Sequence, residues 1–178
     1  MYDNCAVLEN ESLEINGVSI FGCTMWTDCG SPVDHWFIEK GMMDYKLIKY
    51  KTNSGARRLS VNNTIGLYIN SRTLISNHVQ EVQDRPCVIL THHAPHIDML
   101  HDYYRQDSSN SLNRAFYSDM SDIMLDNPNI RVWVSGHTHN STSITIGDTL
   151  SVSNALGYLG SEFRVGDIPS FQIKQIEV

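Results

Sequence analysis

Two stretches decide how this chain is to be read: Val88-Ile89-Leu90-Thr91-His92-His93-Ala94-Pro95 and Val132-Trp133-Val134-Ser135-Gly136-His137-Thr138-His139. Each is a short apolar run that ends in a pair of histidines. Runs of this length, bounded by turn residues, read as buried strands of a sheet. In open α/β sheets ligands bind in the crevice beyond the carboxyl ends of the strands. Both histidine pairs are therefore expected on one rim.

Working outward, the segments between the strands carry a helical period. Leu74, Ile75, His78, Val79 and Val82 fall on one stripe of a helix predicted from about residue 65 to 83, stopped by Asp84-Arg85-Pro86. Leu112, Ala115, Phe116, Met120, Ile123 and Met124 repeat at helical spacing and predict a second helix ending before Asn127-Pro128. Helix-linked strands imply a parallel core. Asn16-Gly17, between Leu13-Glu14-Ile15 and Val18-Ser19-Ile20-Phe21-Gly22, is the preferred pair for a two-residue hairpin, because both residues tolerate positive φ. A second hairpin is expected over Thr142–Ile146 and Thr149–Ser153, turning at Gly147-Asp148. A short helix is expected over Asp34–Met43, loop over most of the rest of 28–63, a turn at Gly166-Asp167, and a final strand over Phe171–Val178. The order is α/β in class, within a single domain spanning 1–178.

Composition narrows the function. The chain has 178 residues, 41% of them apolar and 19% charged, as in ordinary globular proteins. No stretch approaches the apolar length of a membrane span. The acidic start, with Asp3, Glu9, Glu11 and Glu14, lacks the basic and apolar regions of a secretory signal, so a cytoplasmic location is expected. A net charge of −7 with no basic run gives non-specific nucleic-acid binding little support. Cys5, Cys23, Cys29 and Cys87 show no CxxC pairing and read as reduced, packed thiols.

The chemistry lies with the histidines. Imidazoles separated by one residue, as at His137 and His139, can reach one metal or two neighbouring metals, and Gly136 offers a backbone path or close approach that a side chain would block. Neutral imidazole suits zinc, iron, manganese or nickel. Either pair alone is commonly structural; two pairs, each breaking from a short strand into a loop, make a metal site the better reading. His35, His78, His96 and His101 lack such a context, and His78 reads as a satisfied core histidine.

Thr91-His92-His93-Ala94-Pro95 and Gly136-His137-Thr138-His139 resemble the last two signature blocks of the calcineurin-like metallophosphoesterases. Leu8-Glu9-Asn10-Glu11-Ser12 through Trp26-Thr27-Asp28, Met43-Asp44-Tyr45-Lys46-Leu47-Ile48 and Asn154-Ala155-Leu156-Gly157-Tyr158 are similar to further segments of the small bacterial and phage-type members. The resemblance implies a four-layer αββα sandwich and a metal-dependent phosphoester hydrolase acting on a small phosphoester. It implies His92 and His137 as ligands of one divalent ion and His139 of the other, with His93 beside them and pointing elsewhere. The earlier DxH, GDxxD and GNH[DE] blocks do not occur here, so the resemblance implies that the N-terminal βαβ portion is missing, and a separately encoded N-terminal segment is the expected partner. The rival expectations are an inactive remnant and a metal-free interaction module of the same fold.

Overall fold

The computed structural model describes residues 5–107, 110–158 and 172–178. The hairpin forms as expected: β1 (Glu11–Ile15) and β2 (Val18–Cys23) pair antiparallel about Asn16 and Gly17, whose φ values are 53° and 80°. Next comes α1 (Pro32–Gly41), whose early start follows from Ser31 as N-cap, Pro32 in the first turn and Asp34 closing a capping box.

The expected loop that follows contains three elements: α2 (Asp44–Leu47), β3 (Lys49–Thr52) and β4 (Gly55–Arg58). The last two form a separate two-stranded ladder. Their residues, Lys-Tyr-Lys-Thr and Gly-Ala-Arg-Arg, are mostly exposed, so no apolar alternation announces them. The long helix α3 (Val61–Glu81) begins ahead of its apolar stripe, because Ser60 and Asn63 cap it reciprocally.

The strand β5 (Cys87–Thr91) and a short α4 (Asp102–Arg105) follow. The single helix expected from Leu112 to Met124 does not form. A 3₁₀ turn over Ser111–Ala115 and α5 (Ser121–Asp126) flank an extended piece. That piece pairs with the loop after β5: Ala94 N–H donates to the Phe116 carbonyl at 3.0 Å, Ser118 N–H to Ala94 at 3.1 Å and Met120 N–H to Pro95 at 2.9 Å. Helical spacing was present, but the backbone found its partners across the fold. The strands β6 (Ile130–Val134), β7 (Thr142–Ile146) and β8 (Thr149–Ser153) complete the sheet. Residues 172–178 form no strand; Phe171, Gly166 and Asp167 lie outside the described residues.

The sheet runs β1-β2-β5-β6-β8-β7, with β2, β5, β6 and β8 mutually parallel and a hairpin strand at each edge. A bulge between Cys87 and Val88 shifts the β5–β6 register by one residue. On one face, Phe21, Ile89, Ile130 and Trp133 pack against Tyr68, Ile75 and Val79 of α3 and Ile123 and Met124 of α5. Arg72 and Asp122 join the two helices outside this core. The opposite face is apolar as well. Following the register, Ile15, Val18, Ile20, Val88, Leu90, Val132, Val134, Leu150 and Val152 share it. None of these belongs to the three buried clusters that the described helices build. No described helix is long and apolar enough to cross a membrane.

His78 sits where a core histidine should, with Nε2 at 2.9 Å from Ser19 Oγ and its ring 5.1 Å from that of Phe21. Burial lowers its pKa below the usual value. The unfolded chain, with histidine titrating near ~6.5, takes up this proton first. Stability therefore falls as the pH drops from about 6.5 toward the folded value. The melting temperature is expected to decline between about pH 7.5 and 5, and His78→Gln should make that decline shallower. An unchanged slope in the variant would remove His78 from the account.

Candidate metal centre

The site is assembled by the pairing of two neighbouring strands beyond their ends. The last β5–β6 pair is Leu90 with Val134. Past it, Gly136 N–H donates to the His92 carbonyl at 3.0 Å, and Ser135 N–H to the Val152 carbonyl of β8 at 3.0 Å. Trp133 Nε1 donates to Thr91 Oγ1 at 2.9 Å, and that hydroxyl donates to the His93 carbonyl at 2.8 Å. The two histidine loops are thus tied together by backbone and side chain.

Their rings meet. The His92 and His137 centroids lie 4.7 Å apart, His93 and His137 4.4 Å, and His92 and His93 5.1 Å. Phe116 stacks on His137 at 4.9 Å, and Trp26 packs against His93 at 5.2 Å. His92 and His137 are thereby brought together, and His139 follows in the next turn of chain with its ring edge against Tyr158 at 4.5 Å. His93, expected to point elsewhere, turns toward His137 and lies closer to it than His92 does. The reason is local. The backbone N–H groups of both His92 and His93 donate to one carbonyl, that of Thr24, at 3.2 and 3.4 Å. The chain curls about that oxygen, strand alternation ends, and both side chains come to the same side.

His93 is 3% exposed, and its Nδ1 lies 3.3 Å from the same Thr24 carbonyl. A carbonyl has no proton to give, so Nδ1 carries the hydrogen. Burial, followed by repulsion from His137 and His92, holds the ring's pKa well below the usual value. The ring is therefore neutral, with its lone pair on Nε2 while the hydrogen is on Nδ1, and a hydrogen bond to the Met25 backbone joins that to Thr24 in opposing the fall. Burial, then His92, pushes His137 down to about 4, against the opposing pull of Asp44. His92 keeps an exposed face, yet the desolvation of its packed side lowers its pKa too. At neutral pH the cluster is three uncharged imidazoles.

The Ser135–Thr138 stretch also concentrates unsatisfied polarity. Ser135 Oγ, His137 Nε2 and Thr138 Oγ1 are all buried without a hydrogen-bond partner. Buried orphans of this kind mark a place where a water or an ion completes the structure. The donor chemistry fits a cation such as zinc, iron, manganese or nickel. The geometry stops short of a closed centre: among the described residues no three His, Cys, Asp or Glu side chains converge as a metal-holding group.

The backbone role expected of Gly136 falls to its neighbours. His137 and His139 adopt φ of 63° and 49°, the left-handed region that costs a non-glycine residue roughly 1–2 kcal/mol. Gly136 is outside that region. A Cβ built on it would meet its nearest atoms, His92 Nδ1 and the His92 carbonyl, at an ordinary 3.7 Å. Thr24, Trp26, Phe116 and Asp44 are the contributors that the sequence pattern does not single out. Thr24, Trp26 and Phe116 reach the histidines through tertiary contacts, Asp44 acts on them only through its charge, and no local motif gives any of the four that role.

No family model matches the chain. It is similar to an uncharacterised protein of Acanthamoeba polyphaga mimivirus, 33% identical over 162 residues, a match that covers 88% of this chain and 56% of the viral protein. The chain thus spans about half the length of that relative.

Gly136→Ala is expected to leave stability within about 1 kcal/mol of the wild type, read from denaturant melts. A larger loss would mean that close approach at Gly136, and not strain at the histidines, shapes the loop.

Proposed function

We propose that this chain carries the histidine half of a two-metal phosphoester hydrolase of the calcineurin-like kind. The observation that supports this most is the meeting of two strand-end loops, whose neutral imidazoles pack together and leave His137 Nε2 buried and unpartnered. His93 and His137 would hold one cation, with His92 or His139 turned to the second position. The cations would supply Lewis acidity toward a phosphoryl oxygen and lower the pKa of an attacking water. The chain's own part is to keep the imidazoles uncharged, to hold His93 with its proton on Nδ1, and to exclude water behind them with Trp26 and Phe116.

Three neutral ligands do nothing to offset the charge of two divalent ions. Stable zinc sites use three or four protein ligands, so this half alone should hold metal singly and weakly. The carboxylates would come from the segment bearing the DxH, GDxxD and GNH[DE] blocks. The second apolar face of the sheet supports the same reading, because a further sheet packed there would make the αββα sandwich. Leu90 and Ile15 on that face are 37% and 53% exposed, whereas Val132 and Val152 are 4% exposed, so the open part lies toward β1 and β5. Exposed apolar sheet surface of this kind recruits other chains. The isolated chain is expected to self-associate in light scattering, and Leu90→Asp to shift it toward monomer. A monodisperse wild-type monomer would count against the uncovered face.

The test of activity compares metal content and hydrolysis of p-nitrophenyl phosphate or its diester for the chain alone and for the chain completed with such an N-terminal segment. Completion is expected to raise both, and His137→Ala to abolish the gain. Robust metal-dependent turnover by the 178 residues alone would sink this account. So would an inert, metal-free completed chain, and that result would favour the rival reading, a metal-free interaction module. The observation on its side is that the described His, Cys, Asp and Glu side chains do not yet converge on a point.

A further inference from the structure

Glu9 is an exposed acid far from any histidine in sequence, yet its contacts lead straight to them. Its Oε2 accepts the Thr24 N–H at 2.9 Å and the Thr24 hydroxyl at 2.7 Å. The Thr24 carbonyl in turn accepts three donors: the backbone N–H of His92 at 3.2 Å, that of His93 at 3.4 Å, and His93 Nδ1 at 3.3 Å. Both hydrogen bonds that the carboxylate Oε2 accepts come from one residue, and the three donors to that residue's carbonyl belong to the histidine pair.

The approach of Glu9 is built into the sheet. Leu8 lies directly over Gly22 of β2, where an added Cβ would fall 2.6 Å from Leu8 Cβ. Only glycine lets the incoming chain sit that close, and the close seat delivers the next residue to Thr24. Thr24 needs such a clamp. The residue after it, Met25, is fully buried at a φ of 45°, a strained conformation for a methionine. The Thr24 amide and hydroxyl are thus held from outside, in the residue whose carbonyl the histidine pair shares just ahead of that strained turn.

We infer that Glu9 is a positioning residue for the His92-His93 pair, acting through Thr24 to set the orientation and tautomer of the His93 ring. A backbone carbonyl on Nδ1 leaves Nε2 as the nitrogen offered to the site, and the group that orients the carbonyl governs how firmly. The inference rests on the proposed metal-holding role only for the second half of its test.

The first half needs no metal. Long-range proton–nitrogen NMR spectra of the imidazoles, at a pH above their titration, are expected to show His93 as a single Nδ1–H tautomer in the wild type. Glu9→Ala should turn it into an exchanging mixture while the melting temperature moves by only a few degrees, roughly what loss of an exposed side chain does. Glu9→Gln, which keeps an acceptor oxygen in place, should restore most of the wild-type signature. The second half is a Co²⁺ titration followed by visible absorption, with Glu9→Ala expected to weaken binding about tenfold and Glu9→Gln less. Unchanged His93 nitrogen signals in Glu9→Ala overturn the inference. So does a collapse of the melting temperature in both variants, which would make Glu9 a structural residue. If the wild type binds no Co²⁺, the metal reading of the histidines fails, and the nitrogen spectra still decide the role of Glu9.

Discussion

The hydrogen bond from Gly136 N–H to the His92 carbonyl carries the parallel pairing of β5 and β6 past the ends of the strands, and the whole site hangs on that continuation. Parallel neighbours bring their carboxyl ends to the same edge of the sheet. Two loops some forty residues apart in sequence therefore emerge side by side. The bulge between Cys87 and Val88 sets which residues are opposite one another, bringing Val88 beside Val132 and Ile89 beside Trp133. Without it Trp133 would not face the helices, and its indole would not reach the Thr91 hydroxyl that holds the His93 carbonyl.

The same edge explains the electrostatics. Packing three imidazoles within about five ångströms of one another, behind Trp26 and Phe116, makes protonation of each costly by desolvation, reinforced by repulsion from neighbouring imidazoles at His93 and His137 and from His139 at His92. A cluster held neutral in this way is poor as a pH-neutral cation source and good as a set of lone-pair donors. Its polarity is left incomplete at Ser135, His137 and Thr138, close to the buried cluster that contains Met25 and Trp133.

A second incompleteness lies on the far side of the sheet. Strands buried on both faces read as nearly continuous apolar runs, and Cys87-Val88-Ile89-Leu90 is such a run. Only one of its faces meets described helices. On the other face Val132 and Val152 are 4% exposed while Leu90 is 37% exposed, so that face is closed toward β8 and open at β5.

What the sequence determined by itself was local or periodic. Asn16-Gly17 specified a hairpin because few residue pairs accept positive φ twice. The stripe through Ile75 and Val79 specified α3, and the four- and five-residue apolar runs specified the core strands. The two histidine pairs were placed on one rim because strand ends share an edge. Where a periodic signal was present but the backbone had a better partner across the fold, as at Phe116–Met120, the sequence misled. Where pairing involves polar exposed residues, as in β3 and β4, it was silent. Tertiary structure alone decided that His93 joins His137, because the choice depends on three donors sharing the Thr24 carbonyl. It alone brought Trp26 and Phe116 against the histidine rings, and Glu9 to the Thr24 residue whose carbonyl holds them. Those contacts run across long loops of chain, and no residue spacing encodes which distant group a closed fold will bring within hydrogen-bonding reach.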